Sequence, residues 1–165
     1  MTMINKDNIL KELAEKTSHQ NLTGDAREDA KIYFEASKEY VLIDEYDKAI
    51  LYASKAYTAL LASRTKDNLV VAEVIERTAV KMKIAEYELK RNDVSGALGH
   101  LQNCKELIQR NTEDFSSTEV AESPFYDSPR HIVTDILALD EAIYQSVTKQ
   151  HHDFEMFCEG NNLTD

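Results

Sequence analysis

The chain has 165 residues, 42% of them hydrophobic, with only 4 Gly and 2 Pro. That size suits one folding unit with its own core, and the composition leaves few sites for the tight turns of an all-β fold. Its formal charge of −11 opposes the counterion release by which proteins hold nucleic acid and disfavours anionic membrane surfaces, so a basic or neutral protein surface is the expected partner. The start, MTMINKDNILKEL, lacks the apolar run of a secretion leader, and no 18 consecutive residues are apolar, so a soluble, cytoplasmic protein is expected. Cys104 and Cys158 are too few and unpatterned for a disulfide scaffold or zinc site and read as reduced thiols, with no cofactor implied. The Asn-Leu-Thr triplets at Asn21 and Asn162 are then chance sequons.

In chain order, Asn5 is placed to cap a short helix carrying Ile9, Leu10, Leu13 and Ala14 at helical spacing. Asp25 with Glu28 three positions on resembles a capping box, opening a helix from about residue 26 to 43. Its apolar face holds Ala30, Tyr33, Ala36, Ser37, Tyr40 and Val41. After a short corner, IDEYDKAILYASKAY begins the next helix, with Ala49, Ala53 and Ala56 on one face. Small residues there let two backbones approach while Tyr33 and Tyr40 fill the remaining space, which predicts a helical hairpin. A third helix, from Val70 to Lys90, is apolar around most of its circumference and should sit centrally. Asn92 and Asp93 break it and open a fourth, striped by Val94, Ala97, Leu98, Leu101, Cys104, Leu107 and Ile108. Residues 112–129 contain both prolines and no sustained period, and read as a loop or lid. Ser128-Pro129 starts a last long helix, running over 130–158 and ending near Gly160. The expectation is all-α: a single domain of five to six helices in antiparallel hairpins.

The stretch YFEASKEYVLIDEYDKAILYASKAYTAL resembles a tetratricopeptide repeat, with Tyr33, Ser37, Tyr40, Asp44, Tyr46, Ala49 and Ala56 at that family's aromatic, small and corner positions. A second match runs IAEYELKRNDVSGALGHLQNC, through Ala85, Val94, Ala97 and Cys104. The alanines Ala49 and Ala97 stand 48 positions apart, against about 34 in the family, and the closing proline is absent. The chain also resembles the four-helix HEPN group, which places an acidic corner before an alanine- and tyrosine-rich helix. Its catalytic members carry Arg and, four to six residues on, His. No Arg here has His at that spacing, so this resemblance implies a non-catalytic member.

Residue pairs with chemical potential are few. His100 and Cys104 lie one helical turn apart, the spacing at which imidazole could activate a thiolate, but Cys104 falls on the apolar stripe, where cysteine packs as a small hydrophobe. His131 with Asp135 and His151 with Glu155 could each offer two metal ligands, yet two pairs do not make a site and such pairs usually link surface charges. Glu73, Glu76 and Glu86 read as a solvated face rather than an acid/base set. Gly96 and Gly99 flank an alanine with no preceding strand or Walker lysine.

The tetratricopeptide resemblance implies that the first helix of each hairpin lines a groove for a peptide or partner helix. The positions concerned are Lys31, Phe34, Lys38, Val41 and Leu42 on one helix and Met82, Glu86, Leu89 and Lys90 on the other, with lysines orienting acidic groups of the ligand. The competing explanation for Phe34 and Met82 is plain packing under a terminal helix. The functional expectation is a non-enzymatic protein-protein interaction module: an adaptor, small chaperone or regulator. An acidic inhibitor or antitoxin covering a basic surface is the alternative, and an enzyme with an unrecognised site the third reading. A homodimer is compatible with the sequence.

Overall fold

The computed structural model describes residues 5–62, 71–110, 125 and 129–160. Among the described residues six helices follow one another: α1 (Lys6–Lys16), α2 (Ala26–Leu42), α3 (Tyr46–Ala62), α4 (Val71–Lys90), α5 (Val94–Arg110) and α6 (Pro129–Gly160). No strand occurs among the described residues, so the architecture is all-α, as the periodicity predicts. None of these helices is long and apolar enough to cross a membrane. The expected loop at 112–129 lies outside the described residues except for Phe125 and Pro129, which begins α6.

Local chemistry sets the helix starts. The Asn5 side chain accepts from the Asp7 and Asn8 amides at 3.0 and 3.4 Å, and Asp25 accepts from the Glu28 amide at 3.0 Å, satisfying donors that no helical carbonyl can reach. The reciprocal half of the expected capping box is not made. The Asp25 amide donates instead to the Thr23 hydroxyl, and the Glu28 carboxylate takes a bond from Lys31.

α2 and α3 pack as an antiparallel hairpin whose seam is Ala30 and Ala36 against Ala49, Ala53 and Ala56, all buried. Beside the seam, the Tyr40 ring stacks on Tyr52 with centroids 5.1 Å apart, and Tyr33 leans on the same ring at 6.1 Å. Alanine brings the backbones together and the tyrosines fill the flank, so neither could be exchanged without moving the other.

The second hairpin repeats the first at a displacement of 48 residues. α3 and α5 are each 17 residues long and start at 46 and 94. In the first corner the Glu45 amide donates to the Tyr40 carbonyl and the Asp44 amide to Val41; in the second, Asp93 donates to Glu88 and Asn92 to Leu89. Each is a Schellman closure, and the residue that must turn left-handed is Asp44 (φ 59°) or Asn92 (φ 65°) in place of the usual glycine. These two residue types tolerate that conformation because a short polar side chain bonds locally. Ala49 and Ala97 then follow at equivalent seam positions, both fully buried.

α4 is buried nearly all round, because it packs against α3 on one side, α5 on another and α6 on a third. Glu76, expected on a solvated face, is 3% exposed: Arg27 of α2 grips both its oxygens at 2.7 and 2.8 Å. A carboxylate so desolvated persists only with a charge-assisted bidentate partner, and that contact holds the Arg27 guanidinium's proton more tightly still. Tyr87 of α4 meets the Ser37 hydroxyl of α2, and burial pushes the phenol up to about 12. Through Arg27–Glu76 and Ser37–Tyr87 the first helices of the two hairpins are bound together. α6 covers α4 and α5 with Ile136, Leu139 and Ile143, and Lys105 of α5 reaches Asp140 at 2.8 Å. At the other end α1 rests on α2 through Leu13 and Thr17, its only buried neighbours to the core, with Lys6–Glu45 and Lys16–Glu39 ion pairs along its flank.

Candidate functional site

The residues expected to receive a partner separate into three groups. Phe34 and Met82 are core residues, not surface groups: Phe34 is 2% exposed and packs on Phe125 with ring centroids 5.4 Å apart, while Met82 is buried under α6 beside Leu139. The packing explanation accounts for both. Val41 and Leu89, equivalent by the 48-residue displacement, are half-buried against the core. The charged members remain accessible but engaged: Lys31 bonds Glu28, Lys38 bonds Glu35 and lies over the Phe34 ring, and Glu86 takes a bond from Lys83. Lys90 is exposed at the end of α4. α2 and α4 therefore do not present one continuous lysine-lined trough.

An open groove lies instead on the neighbouring side of α2, where short α1 leaves the helix face uncovered. Two adjoining cavities, of about 630 and 290 Å³, share Glu12, Lys16 and Glu39. Ile32 and Ala36 of α2 floor the larger, and Ile9, Leu13, Ile43 and Leu42 continue that apolar surface into the smaller. Leu42 is 83% exposed, the most exposed large aliphatic side chain among those described. The walls are acidic: Glu12 and Glu15 on α1 face Glu35 and Glu39 on α2, with Lys16 and Lys31 as the only cations. Lys16 pairs with Glu39 at 3.7 Å and Lys31 with Glu28 outside the groove at 2.9 Å. Of the positions expected to receive a partner, this groove includes Lys31 and Leu42.

A second feature escaped the sequence. Glu88 is buried at the α4–α5 corner, where its carboxylate meets Nδ1 of His100. His100 also contacts the Gly96 carbonyl at 3.1 Å, and Asp93 accepts from the Gly96 amide at 3.0 Å as the cap of α5. A methyl group at Gly96 would stand on the Glu88 and Asp93 carboxylates, one or both of which would have to move. Burial raises the Glu88 carboxyl above the ordinary range, the His100 partner pulls it back, and Asp93 adds to the rise. His100 is thus committed to Glu88 rather than to Cys104. The Cys104 thiol is fully buried, points at the Thr78 carbonyl at 3.6 Å, and is pushed up to about 12 by burial; it packs as the stripe predicts and is no nucleophile.

Among the described residues no group of three or more His, Cys, Asp or Glu side chains is arranged to hold a metal ion; His131, His151 and Glu155 have side chains outside that set. No family model matches the chain, and neither a curated protein nor a solved structure does.

Proposed function

We propose that the chain is a non-enzymatic protein-interaction module of tetratricopeptide-like build that docks a peptide or helix of a partner in the α1–α2 groove. The observation that carries this is an apolar floor running from Ile32 to an exposed Leu42, which no described residue covers, bounded by charged walls. Exposed aliphatic surface in a concavity costs free energy that a partner's apolar side chains recover. The repetition of one corner and one helix length 48 residues apart supports the repeat-like build over a closed four-helix bundle. The burial of the Cys104 thiol and the engagement of His100 by Glu88 support a binding rather than a catalytic role.

The test is quantitative affinity capture from the source cells with the wild-type chain and a Leu42→Arg variant, followed by mass spectrometry. Leu42 is so exposed that the fold does not depend on it, and a cation at the end of the floor obstructs docking there. Partners lost selectively by Leu42→Arg support the reading; an unchanged set contradicts it. The net charge of −11 favours a second reading, a charge mimic covering a basic surface. In that case capture would fall steeply with ionic strength and ignore Leu42→Arg.

A further inference from the structure

We infer that the occupant of the α1–α2 groove is a basic amphipathic helix of about three turns, its aliphatic stripe on the Ile32–Leu42 floor and its lysines or arginines against Glu12 and Glu15. This rests on the docking reading above and specifies its chemistry. The charge follows from the walls: four carboxylates face two lysines, both already paired, and neither Glu12 nor Glu15 has an ionic partner among the described residues. Standing three positions apart on α1, these two carboxylates form one wall. The chain's overall negative field draws a cationic segment toward it and repels a second copy of the same acidic chain. This differs from lysine-directed recognition of an acidic ligand, the expectation from Lys31, Lys38 and Lys90: Lys31 and Lys38 are paired with Glu28 and Glu35, and Lys38 and Lys90 do not line the groove.

The secondary structure of the occupant follows from the backbone. Both walls are α-helices whose amides and carbonyls are bonded internally, so an extended peptide would find no main-chain partner and would bury unsatisfied groups. A helix brings its backbone bonds with it and needs only a side-chain surface. The floor runs along α2 from about Lys31 to Leu42, which at the helical rise is roughly 17 Å, or about three turns.

The probe is a fluorescent 14-residue synthetic helix with leucines along one stripe and lysines elsewhere, compared with the same peptide bearing glutamate for lysine. Binding is read by anisotropy, and its location by amide shifts in two-dimensional NMR. The lysine peptide should bind at least tenfold tighter than the glutamate peptide and shift Ile32, Ala36 and Leu42 amides. Glu12→Lys and Leu42→Ser should each weaken it at least fivefold, while Glu141→Lys, the same charge change on exposed α6, should weaken it less than twofold. Equal losses from Glu12→Lys and Glu141→Lys would reduce the effect to diffuse attraction and overturn the inference. Preferred binding of the glutamate peptide at the same amides would overturn the cationic occupant and leave the docking reading standing. Shifts from neither peptide on α1 and α2 would overturn the inference, and together with capture indifferent to Leu42→Arg would remove the docking reading too.

Discussion

Glu88 and His100 meet across the second hairpin at the place where Tyr40 and Tyr52 stack in the first; both residues of each pair are displaced by the same 48 positions. One copy of the fold closes its corner with two rings and the other with a carboxylate and an imidazole. The carboxylate of the polar pair lies against Gly96, at the site equivalent to Lys48, whose ammonium lies over the Tyr40 ring.

The first prediction concerns pH. Because burial raises the Glu88 carboxyl, the folded chain holds this proton more tightly than the unfolded chain does. Its contribution is therefore full below the unfolded carboxylate value of about 4.3 and lost as pH rises through the higher folded value. Glu88→Gln removes that dependence. Between pH 4 and 6.5 the urea midpoint of the wild type should fall relative to that of Glu88→Gln; a pH-independent difference would show that Glu88 is solvated.

Arg27 and Glu76 supply the second. Removing one member of a buried bidentate pair strands the other, so Arg27→Met should cost about 3 kcal/mol. Replacing both by methionine should recover most of that loss, since apolar contact substitutes for a pair that was itself costly to desolvate. Thermal melts of the single and double variants decide it: additive losses would mean that the two side chains are not coupled and that neither strands the other.

A third prediction tests the alanine seam. Ala53→Leu forces a branched side chain between α2 and α3, where no space exists, and should cost about 1–3 kcal/mol. Lys55→Leu, two positions on and on the exposed side, forfeits only the ammonium's contact with the Tyr33 and Tyr52 rings, about 0.5–1 kcal/mol. Equal melting temperatures for the two variants would place the seam elsewhere.

The corners provide a fourth. Asp44→Ala and Asn92→Ala each keep a β-carbon in a left-handed position but lose the short polar side chain that eases it, at about 1 kcal/mol. Asp44→Gly and Asn92→Gly should match or exceed wild-type stability. Chemical denaturation of the four variants compares alanine with glycine directly.

What the sequence revealed and what it hid follow one physical division. The alanine face, the Asn5 and Asp25 caps and the corners at Asp44 and Asn92 are legible because their causes lie within a turn or two of chain. The Arg27–Glu76 pair joins residues 49 positions apart, and no periodicity announces such a meeting. Phe34 could be read as groove surface or as core, because its ring partner, Phe125, stands in a stretch without helical pattern. The α1–α2 groove was equally hidden: its residues read correctly as helical, but its opening depends on how little of α2 the short α1 covers.

That shortness has a kinetic consequence. Each helix rests chiefly on its neighbours in sequence, an arrangement of low contact order that folds fast and loosens in units rather than all at once. α1 has 11 residues, below the length of about 12–15 at which an isolated helix becomes even marginally stable in water, and fully buries only Leu13 and the adjoining Thr17 against the body, with Ile9 and Leu10 half-buried. Its amides should exchange with solvent far sooner than those of α4, while α2 to α5 stay closed. The wall carrying Glu12 and Glu15 then detaches by itself, and the groove's width is a population governed by the local unfolding of a single helix.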